Sequence, residues 1–231
     1  LAVAGSAEKL GPGNDIYSTL LALPDNNALI RGAFDQLAGE IHASVRSALV
    51  EDSRFLRDTA HERLRTALEE RPAGTVVWSR AYGSWGESDR DGSGAASMDH
   101  SSGGLLIGAD APLNETWRLG LLAGAGRTSV DIDDRDASGS SDDYHLGLYS
   151  GGRWDALRLT AGLGYTWHEI ETDRRVAFDD FDQTLRGDNR ADSVQLFGEA
   201  GYRLDTGALE LEPFVGLAQV RLSSDGGDED G

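Results

Sequence analysis

The alternation of apolar with small or polar residues at positions 157–168 constrains the fold more than any other feature of the chain. Alternate positions are apolar (Leu157, Leu159, Ala161, Leu163, Tyr165 and Trp167), and those between them are Arg158, Thr160, Gly162, Gly164, Thr166 and His168. A period of two predicts a β-strand whose two faces meet different environments. The stretch exceeds the roughly five or six residues of an ordinary soluble strand and suits a tilted membrane-crossing strand of about 9–11 residues. An apolar face that ends in Tyr and Trp suits lipid, whereas the other face suits a wet lumen.

Composition narrows the classes of protein to which this chain can belong. The mean hydropathy is -0.39, and no run of about 18 apolar residues occurs, which argues against a helical membrane protein. A barrel remains compatible, because only every second strand residue meets lipid. The absence of cysteine excludes a disulfide framework and a Cys-ligated metal. A net charge of -19 argues against nucleic acid as a partner, because phosphates require a basic patch.

Strand patterns recur along the chain and are separated by connections of alternating length. Strands are predicted at residues 75–86, 103–113, 117–130, 143–152, 157–172, 192–204 and 209–223. The connections 87–102, 131–142 and 173–191 are long, whereas the other three contain a few residues each. Short turns at one end and long loops at the other are typical of outer-membrane barrels and are not expected of a soluble sandwich. Because bacterial single-chain barrels have an even number of strands, we expect further strands beyond residue 231.

A helical segment precedes the strands. Residues 28–70 contain no Pro and two Gly, and their apolar residues recur at helical spacing. Asp25 or Asn26 is a plausible N-cap, and residues 71–74 form a stop signal. The second half, residues 51–71, is charged all round, which fits either a solvated surface helix or a helix inside a polar pore. Residues 1–27 are predicted to be a linker within a longer precursor whose signal lies upstream.

Several segments resemble one family of proteins. FDQLAGEIHAS (34–44) and DSRFLRD (52–58) resemble the segment that precedes the barrel in autotransporters of type V secretion, and VWSRAYGSWG (77–86) is similar to their first strand. Segments 104–111, 144–149, 197–202 and 212–217 match later strands in the family's order. From residue 28 onward, the chain therefore resembles an autotransporter translocator domain that is truncated at its C-terminal end.

The resemblance implies an all-β transmembrane antiparallel up-and-down barrel, with about seven of an expected twelve strands, preceded by an N-terminal α-helix that threads the pore. It implies a linker from the passenger (1–27), a helical pore segment (28–71) and a partial outer-membrane barrel (72–231). It also implies location in the bacterial outer membrane, with the long loops extracellular, and export of an N-terminal passenger to the cell surface. The implied partners are that passenger, outer-membrane lipid and the machinery that assembles barrels. Family passengers include proteases, esterases and adhesins, and residues 1–27 do not indicate which one is attached here.

Charged residues on the predicted lumenal face have both signs, which argues against an ion-selective pore. They are Arg80, Asp110, Arg118, Arg158, Glu199, Arg203, Glu210 and Glu212. These residues are either a hydrated wall or a docking surface for the charged helix. In the second case Arg57, Arg63 and Arg65 would meet Glu199, Glu210 and Glu212, while Leu56, Ala60, Leu64 and Leu68 would pack on the inward glycines Gly120, Gly124, Gly147, Gly162 and Gly164. On the opposite face, we predict that Leu119, Leu121, Leu146, Leu148, Leu157, Leu159, Ala161 and Leu163 meet lipid.

The sequence offers little support for a catalytic site or a metal site. The aspartates at 131–136, 142 and 143 match no EF-hand spacing and are predicted to lie in a solvated loop. His145 and His168 are predicted to face the lumen, but no Gly-x-Ser-x-Gly motif provides a nucleophile. An N-cap explains the Asn26-Asn27 pair better than self-cleavage does. We therefore predict no enzymatic activity, no metal and no cofactor for this chain.

Two alternatives to an exporting translocator remain. The first is an outer-membrane barrel with a structural or adhesive role and no export function. The second is a soluble β-rich enzyme, which the length of the strands and the lack of a catalytic constellation disfavour. The N-terminal helix separates the first alternative from the translocator, because a plain barrel does not need a pore-length charged helix before its first strand.

Overall fold

The computed structural model describes residues 40–88, 97–132, 137–178, 181–207, 209–224 and 229–230. Two helices, α1 (Glu40–Asp52) and α2 (Arg54–Glu70), precede the strands. The long strands are β1 (Val76–Ser88), β2 (Met98–Pro112), β3 (Trp117–Ile132), β4 (Ala137–Trp154), β5 (Leu157–Phe178), β6 (Phe181–Tyr202) and β9 (Phe214–Ser224). The two-residue strands are β7 (Leu204–Asp205), β8 (Glu210–Leu211) and β10 (Glu229–Asp230).

The long strands form one antiparallel sheet in chain order. Strands β1 to β6 each pair with the next, β9 pairs with β6 along Ala191–Gly201, and β10 pairs with β6 at Arg186 and Gly187. Among the described residues, β1 pairs only with β2 and β9 only with β6, so the sheet is not closed. The predicted antiparallel up-and-down order is thus confirmed, as an open sheet that curves around the helices.

The strands are longer than the sequence pattern predicts and extend into all three predicted long loops. Strand β2 already begins at Met98, and β4 begins at Ala137. Strands β5 and β6 contain 22 residues each and remain paired up to Phe178 and Phe181. The prediction of loops was wrong because it rested on the high content of Asp, Arg, Ser and Gly in these segments, whereas ladder pairing with neighbouring strands outweighs that composition.

The acidic segment that was predicted to be a solvated loop also belongs to the strands. Asp131 lies in β3, and Asp142 and Asp143 lie in β4, where the side chain of Asp143 is buried. Residues 133–136 lie outside the described residues. Because strand side chains alternate between faces, Asp142 points outward and Asp143 points inward.

The third short connection contains a small ribbon in place of a simple turn. Strands β7 and β8 pair with each other, and β9 begins at Phe214 although the pattern placed the strand start at 209. Pro213 cannot donate a hydrogen bond to a ladder, which sets the start of β9 after it. Gly207 has φ of 77° and its N–H donates to Asp205 Oδ1 at 2.7 Å, a turn conformation that favours glycine.

The helices lie end to end. The Ser53 N–H donates to Leu49 O at 3.1 Å, so the interruption between α1 and α2 is a kink in one rod. At about 1.5 Å per residue, the 13 and 17 residues of the two helices span about 46 Å. Helix α2 ends at Arg71, which is left-handed (φ 47°) and donates its N–H to Ala67 O, in agreement with the predicted stop. The predicted helical start near residue 28 lies outside the described residues.

The two faces of the sheet differ as the alternation predicts. The outer face exposes apolar side chains, including Leu119, Leu121, Leu146, Leu148, Leu157, Ala161 and Leu163, while Leu159 is half-buried there. The inner face packs on the helices in two apolar clusters. One contains Ile41, Val45, Ala48 and Leu49 of α1 with Val130, Ile132, Ile170 and Ala191, and the other contains Leu56, Ala60 and Leu64 of α2 with Leu106, Leu122, Tyr149 and Phe197.

The inward glycines mostly accommodate side chains from adjacent strands, and this differs from the prediction that helix leucines would cover them. Tyr149 lies over Gly120, Phe197 lies over Gly162, and leucines of β2 and β3 lie over Gly124 and Gly147. A helix leucine approaches Gly164, where an added Cβ would be 3.0 Å from Leu56 Cδ2. Large side chains on neighbouring strands reach these sites first, because each of these glycines lies directly opposite the large residue in its ladder, which is closer than a helix above the sheet.

None of the helices in the described part of the chain is long and apolar enough to cross a membrane.

Replacing Leu163 with Arg tests which face meets lipid. Leu163 lies on the outer face of β5, which begins at Leu157, and we place it near mid-depth in the bilayer. Leu163→Arg should therefore lower the free energy of unfolding by about 2–4 kcal/mol. Denaturant titration of the protein folded into vesicles measures this cost. Leu163→Ala is the control for lost apolar contact and should cost clearly less. Equal costs for the two variants would mean that position 163 does not meet lipid.

Candidate functional site

The interface between α2 and the inner face of the sheet contains a buried ionic cluster. Arg158 of β5 is 1% exposed; its Nη1 donates to Glu199 Oε1 at 2.8 Å and its Nε donates to Glu212 Oε1 at 2.6 Å. Arg65 of α2 donates from Nη2 to both carboxylate oxygens of Glu199, at 2.8 and 2.9 Å. These charge-assisted bonds tie the helix to strands β5 and β6 and to the segment before β9. We call Arg65, Arg158, Glu199 and Glu212 the Arg158 cluster.

Glu212 is outside the strands and is held ionised by its neighbours. Burial raises its pKa, but the hydrogen bond and charge of Arg158, together with the charges of Arg153 and Arg203, outweigh burial and hold the pKa below the usual carboxyl range. Because its pKa is lowered on folding, the Glu212 carboxylate stabilises the fold fully at pH values above the pKa that it has in the unfolded chain. The contribution is lost as pH falls through the lowered pKa of the folded protein.

A second ionic contact holds α2 to strands β2 and β3. Asp110 is 2% exposed and accepts from Arg118 Nη2 at 2.7 Å and from Arg63 Nε at 2.6 Å. Arg118 Nη1 also donates to Pro72 O at 2.8 Å, which binds the connector between α2 and β1. The Tyr149 hydroxyl lies 3.4 Å from Asp110 Oδ2. The C-terminal half of α2 is therefore fixed on two sides, by Asp110 and by the Arg158 cluster.

The predicted partners of the helix arginines are partly different in the structure. Arg65 reaches Glu199, one of the predicted carboxylates, whereas Arg63 reaches Asp110 instead of a glutamate. Two residues apart on an α-helix, Arg63 and Arg65 point about 200° apart, so they contact opposite parts of the wall. Arg57 contacts Asp58 of its own helix at 3.7 Å.

The remaining predicted lumenal residues form a rim around the end of α2. Arg203 donates to Glu69 at 3.2 Å and lies 2.6 Å from Glu210. Arg153 lies 3.8 Å from Glu69 and 3.6 Å from Glu212. The sequence pattern assigned Arg153 to a turn, whereas the structure places it at the end of β4 with its side chain buried. On the opposite side of the helix, Arg80 pairs with Glu62.

The kink between the helices is surrounded by polar side chains that the sequence pattern did not identify. Asp52 Oδ2 lies 3.2 Å from His100 Nε2, and Ser102 Oγ donates to Asp52 Oδ1 at 3.2 Å. Gln195 Nε2 donates to the carbonyl oxygen of Ser53 at 3.0 Å. His100 and Ser102 were missed because the sequence pattern assigned residues 87–102 to a long loop, whereas the structure begins the strand at Met98. Gln195 lies in a predicted strand, and its inward register, which the alternation gives, was the available signal.

Asp143, His168 and Ser193 are connected like an acid, a base and a nucleophile. His168 Nδ1 lies 2.6 Å from Asp143 Oδ1, and His168 Nε2 lies 3.0 Å from Ser193 Oγ. A hydrolase also needs N–H groups directed at the developing oxyanion. Ser193 is paired to Thr166 on one side and to Leu222 on the other, so the N–H groups around it belong to the ladders. The contacts therefore describe a polar network, and we assign no catalytic role to it.

His61 and His145 also lie at this interface, and their hydrogen-bond partners are neutral groups. His61 Nδ1 lies 2.8 Å from Thr160 Oγ1, and His145 lies between the Tyr82 hydroxyl at 2.9 Å and Thr166 Oγ1 at 3.0 Å. Within the described residues, no group of three or more His, Asp or Glu side chains is placed to hold a metal ion.

Neutralising Glu199 tests how much the Arg158 cluster contributes to the stability of the fold. Glu199→Gln leaves Arg158 and Arg65 with one carboxylate fewer in a buried site, so the free energy of unfolding should fall by about 3–5 kcal/mol. The matched control is Asp142→Asn, which breaks the exposed pair with Arg127 and should cost less than about 1 kcal/mol. Denaturant unfolding in vesicles measures both. Similar small costs would show that solvent screens the cluster.

Comparison with known proteins agrees with this architecture. The model of the autotransporter beta-domain family matches residues 77–231. An extracellular serine protease of Serratia marcescens is 38% identical over 225 residues, which is 95% of this chain and 21% of that protein. The chain thus spans about a fifth of the length of this curated relative.

Solved structures show the same fold at low sequence identity. The translocator domain of the autotransporter NalP from Neisseria meningitidis aligns with a TM-score of 0.69 at 16% identity, over 84% of this chain and 64% of that chain. The beta domain of the Bordetella autotransporter BrkA aligns with a TM-score of 0.52 at 21% identity, over 65% of this chain and 58% of that chain. With an apolar outer face, a charged inner face and a helix between its walls, the chain belongs to the autotransporter beta-domain family and is an outer-membrane translocator domain.

Proposed function

We propose that the strands form the wall of an export pore and that α1 and α2 occupy its lumen once an attached passenger has reached the cell surface. The observation that supports this proposal most directly is the pairing of Arg65 with Glu199 on the concave face of the sheet. A helix on the outside of the sheet would meet Leu119, Leu121 or Leu163, where no carboxylate of the described residues is placed to pair with Arg65 as Glu199 is on the inner face.

The dimensions of the helices support a pore-filling role. About 46 Å of helix exceeds the hydrocarbon thickness of roughly 30 Å, so the rod can extend across the membrane with its C-terminal end beside the short turns. In this proposal, residues 1–27 link the passenger, residues 28–71 form the pore segment and residues 72–231 contribute to the barrel wall. Arg63 and Arg65 contact the wall from the helix, whereas Arg57 pairs with Asp58 within the helix. The residues that face the helix from the wall are Arg80, Asp110, Arg118, Arg158, Glu199, Arg203, Glu210 and Glu212.

The proposed orientation places the long hairpins outside the cell. The connector from Arg71 to β1 is short, so the end of α2 and the turns between β2 and β3, β4 and β5, and β6 and β9 share one rim. We assign this rim to the periplasm and the ends of the β3–β4 and β5–β6 hairpins to the cell surface. The first residues of α1 then lie on the side to which a passenger would be delivered.

The partners follow from the family and from the relatives. The Serratia proteins are named extracellular serine proteases, and the chain matches only 21% of their length. We propose that the passenger carried by this translocator is of the same class and that any proteolytic activity belongs to it. Assembly by the outer-membrane barrel machinery and contact with outer-membrane lipid complete the proposal.

A non-exporting structural or adhesive barrel is the alternative, and the helix distinguishes the two. A barrel with no export role gains nothing from a helix that forms two buried ionic contacts with its interior, at Asp110 and at Glu199. If the helix is the last part of an exported chain to enter the pore, both its position in the lumen and its charged surface are explained.

Deleting residues 40–70 from the complete gene product should raise ion conductance in a planar bilayer, because the helix fills the lumen in our proposal. The double variant Arg63→Ala/Arg65→Ala should show frequent openings, since it removes both ionic contacts of α2 with the wall. Arg57→Ala, which removes a contact within the helix, is the matched control and should behave like the wild type. Conductance that is unchanged by the deletion would place the helix outside the pore.

A further inference from the structure

Two carboxylates meet at one hydroxyl beside the kink between the helices. Asp52 Oδ2 lies 3.0 Å from Thr128 Oγ1, and Asp143 Oδ2 lies 3.1 Å from the same oxygen. Asp52 ends α1, Thr128 belongs to β3 and Asp143 belongs to β4, so this contact joins the helix to the wall. The site is largely dry, because the carboxylate side chains are 10% and 6% exposed and Thr128 is 2% exposed.

The Thr128 hydroxyl has too few protons to donate a hydrogen bond to two ionised carboxylates at once. A threonine hydroxyl has one proton and can donate to only one acceptor. The other donors to these carboxylates do not lie between them and Thr128. They are His100 and Ser102 at Asp52, and Ser141 and His168 at Asp143. With both carboxylates ionised, one of the two contacts at Thr128 would join two electron-rich oxygens without a hydrogen, which is costly in a buried site.

We propose that Asp52, Thr128 and Asp143 hold one additional proton and that this proton fastens α1 to the wall of the pore. One carboxyl group carries the proton and donates it to Thr128 Oγ1, while Thr128 donates its own proton to the other carboxylate. Every contact then contains one hydrogen. The fastened arrangement binds one proton more than the arrangement with the helix withdrawn, so rising pH favours withdrawal. The inference rests on the proposed location of the helix in the lumen.

Titratable groups surround this site on several elements. They are Arg54 of α2, Tyr82 of β1, His100 of β2, His145 of β4 and His168 of β5, while β3 and β6 contribute the neutral groups Thr128, Ser193 and Gln195. Cationic imidazoles would offset the charge of the carboxylates, but they would not supply a hydrogen between Thr128 and the second carboxylate.

Infrared spectroscopy of the complete gene product at pH 7 tests the shared proton, because ordinary carboxyl groups are ionised there. The wild type should show a protonated-carboxyl absorption that Asp52→Asn removes and Thr128→Val shifts. Asp58→Asn changes an exposed carboxylate on α2 and should leave the absorption unchanged. Asp143→Asn is the second variant, so a folding failure of Asp52→Asn does not prevent the test. A wild-type spectrum without an absorption that either Asn variant removes overturns the proposal.

Cysteine labelling tests whether the proton fastens the helix. The chain has no cysteine, so Ala48→Cys reports on the buried side of α1 and Ala43→Cys on its exposed side. The maleimide reactivity of the thiol in Ala48→Cys, divided by that of the thiol in Ala43→Cys, should rise with pH, by up to about tenfold per pH unit for one linked proton. When Asp52→Asn is added to both labelling variants, the amide replaces the carboxyl proton, and the ratio should be flat and low.

The outcomes distinguish this inference from the proposed function. A ratio that is low and independent of pH without the Asp52→Asn change would show that the proton does not fasten the helix. A ratio that is high at every pH, including with Asp52→Asn, would show that α1 does not lie against the wall. That second result would overturn the lumenal location itself, whereas the infrared result would still decide whether the proton is shared.

Discussion

A β-sheet with lipid on one face must bury or hydrate whatever its other face carries, and in this protein that face carries unlike charges. Arg158 and Asp110 are both nearly inaccessible, so each needs an opposite charge within hydrogen-bonding distance. The strands supply some of these partners, as Glu199 and Arg118 show, but Arg63 and Arg65 of α2 complete both sets. The position of the helix is therefore a consequence of the inner face and not an addition to a finished wall.

The interior is layered along the helix. Apolar side chains surround α1, polar groups surround the kink at Asp52 and Ser53, a second apolar cluster surrounds the first half of α2, and ionic contacts surround its end. An axial shift by one turn, about 5.4 Å, would move charges into an apolar layer. Uncompensated burial of a charge costs several kcal/mol, so the order of apolar and polar layers in the wall favours a single axial position of the helix.

The alternation of apolar with small or polar residues along the strands was sufficient to predict which positions face inward, including those of Arg158, Asp110 and Glu199, because side-chain period is a local property. The partners of those charges were not predictable in the same way. Arg63 contacts Asp110 and Arg158 contacts Glu212 only because the curvature of the sheet and the rotation of α2 bring them together. The extended hairpins were missed for a related reason, since the residues in β5 beyond Thr172 pair with β6 although their composition resembles a loop.

The same interior must also let an unfolded chain pass if it serves as an export pore. An extended polypeptide lacks the fixed face of a helix, so it cannot satisfy Asp110, Glu199 and the kink site at once. A segment with arginines at the positions of Arg63 and Arg65 and an acid at the position of Asp52 satisfies all three of these sites together, and it does so as a helix. In this view the wall binds passing chain weakly and recognises the last segment strongly, so transport ends where the helix forms. The stopping point is then encoded in the complementarity between one helix and the lumen, and no separate gate is required.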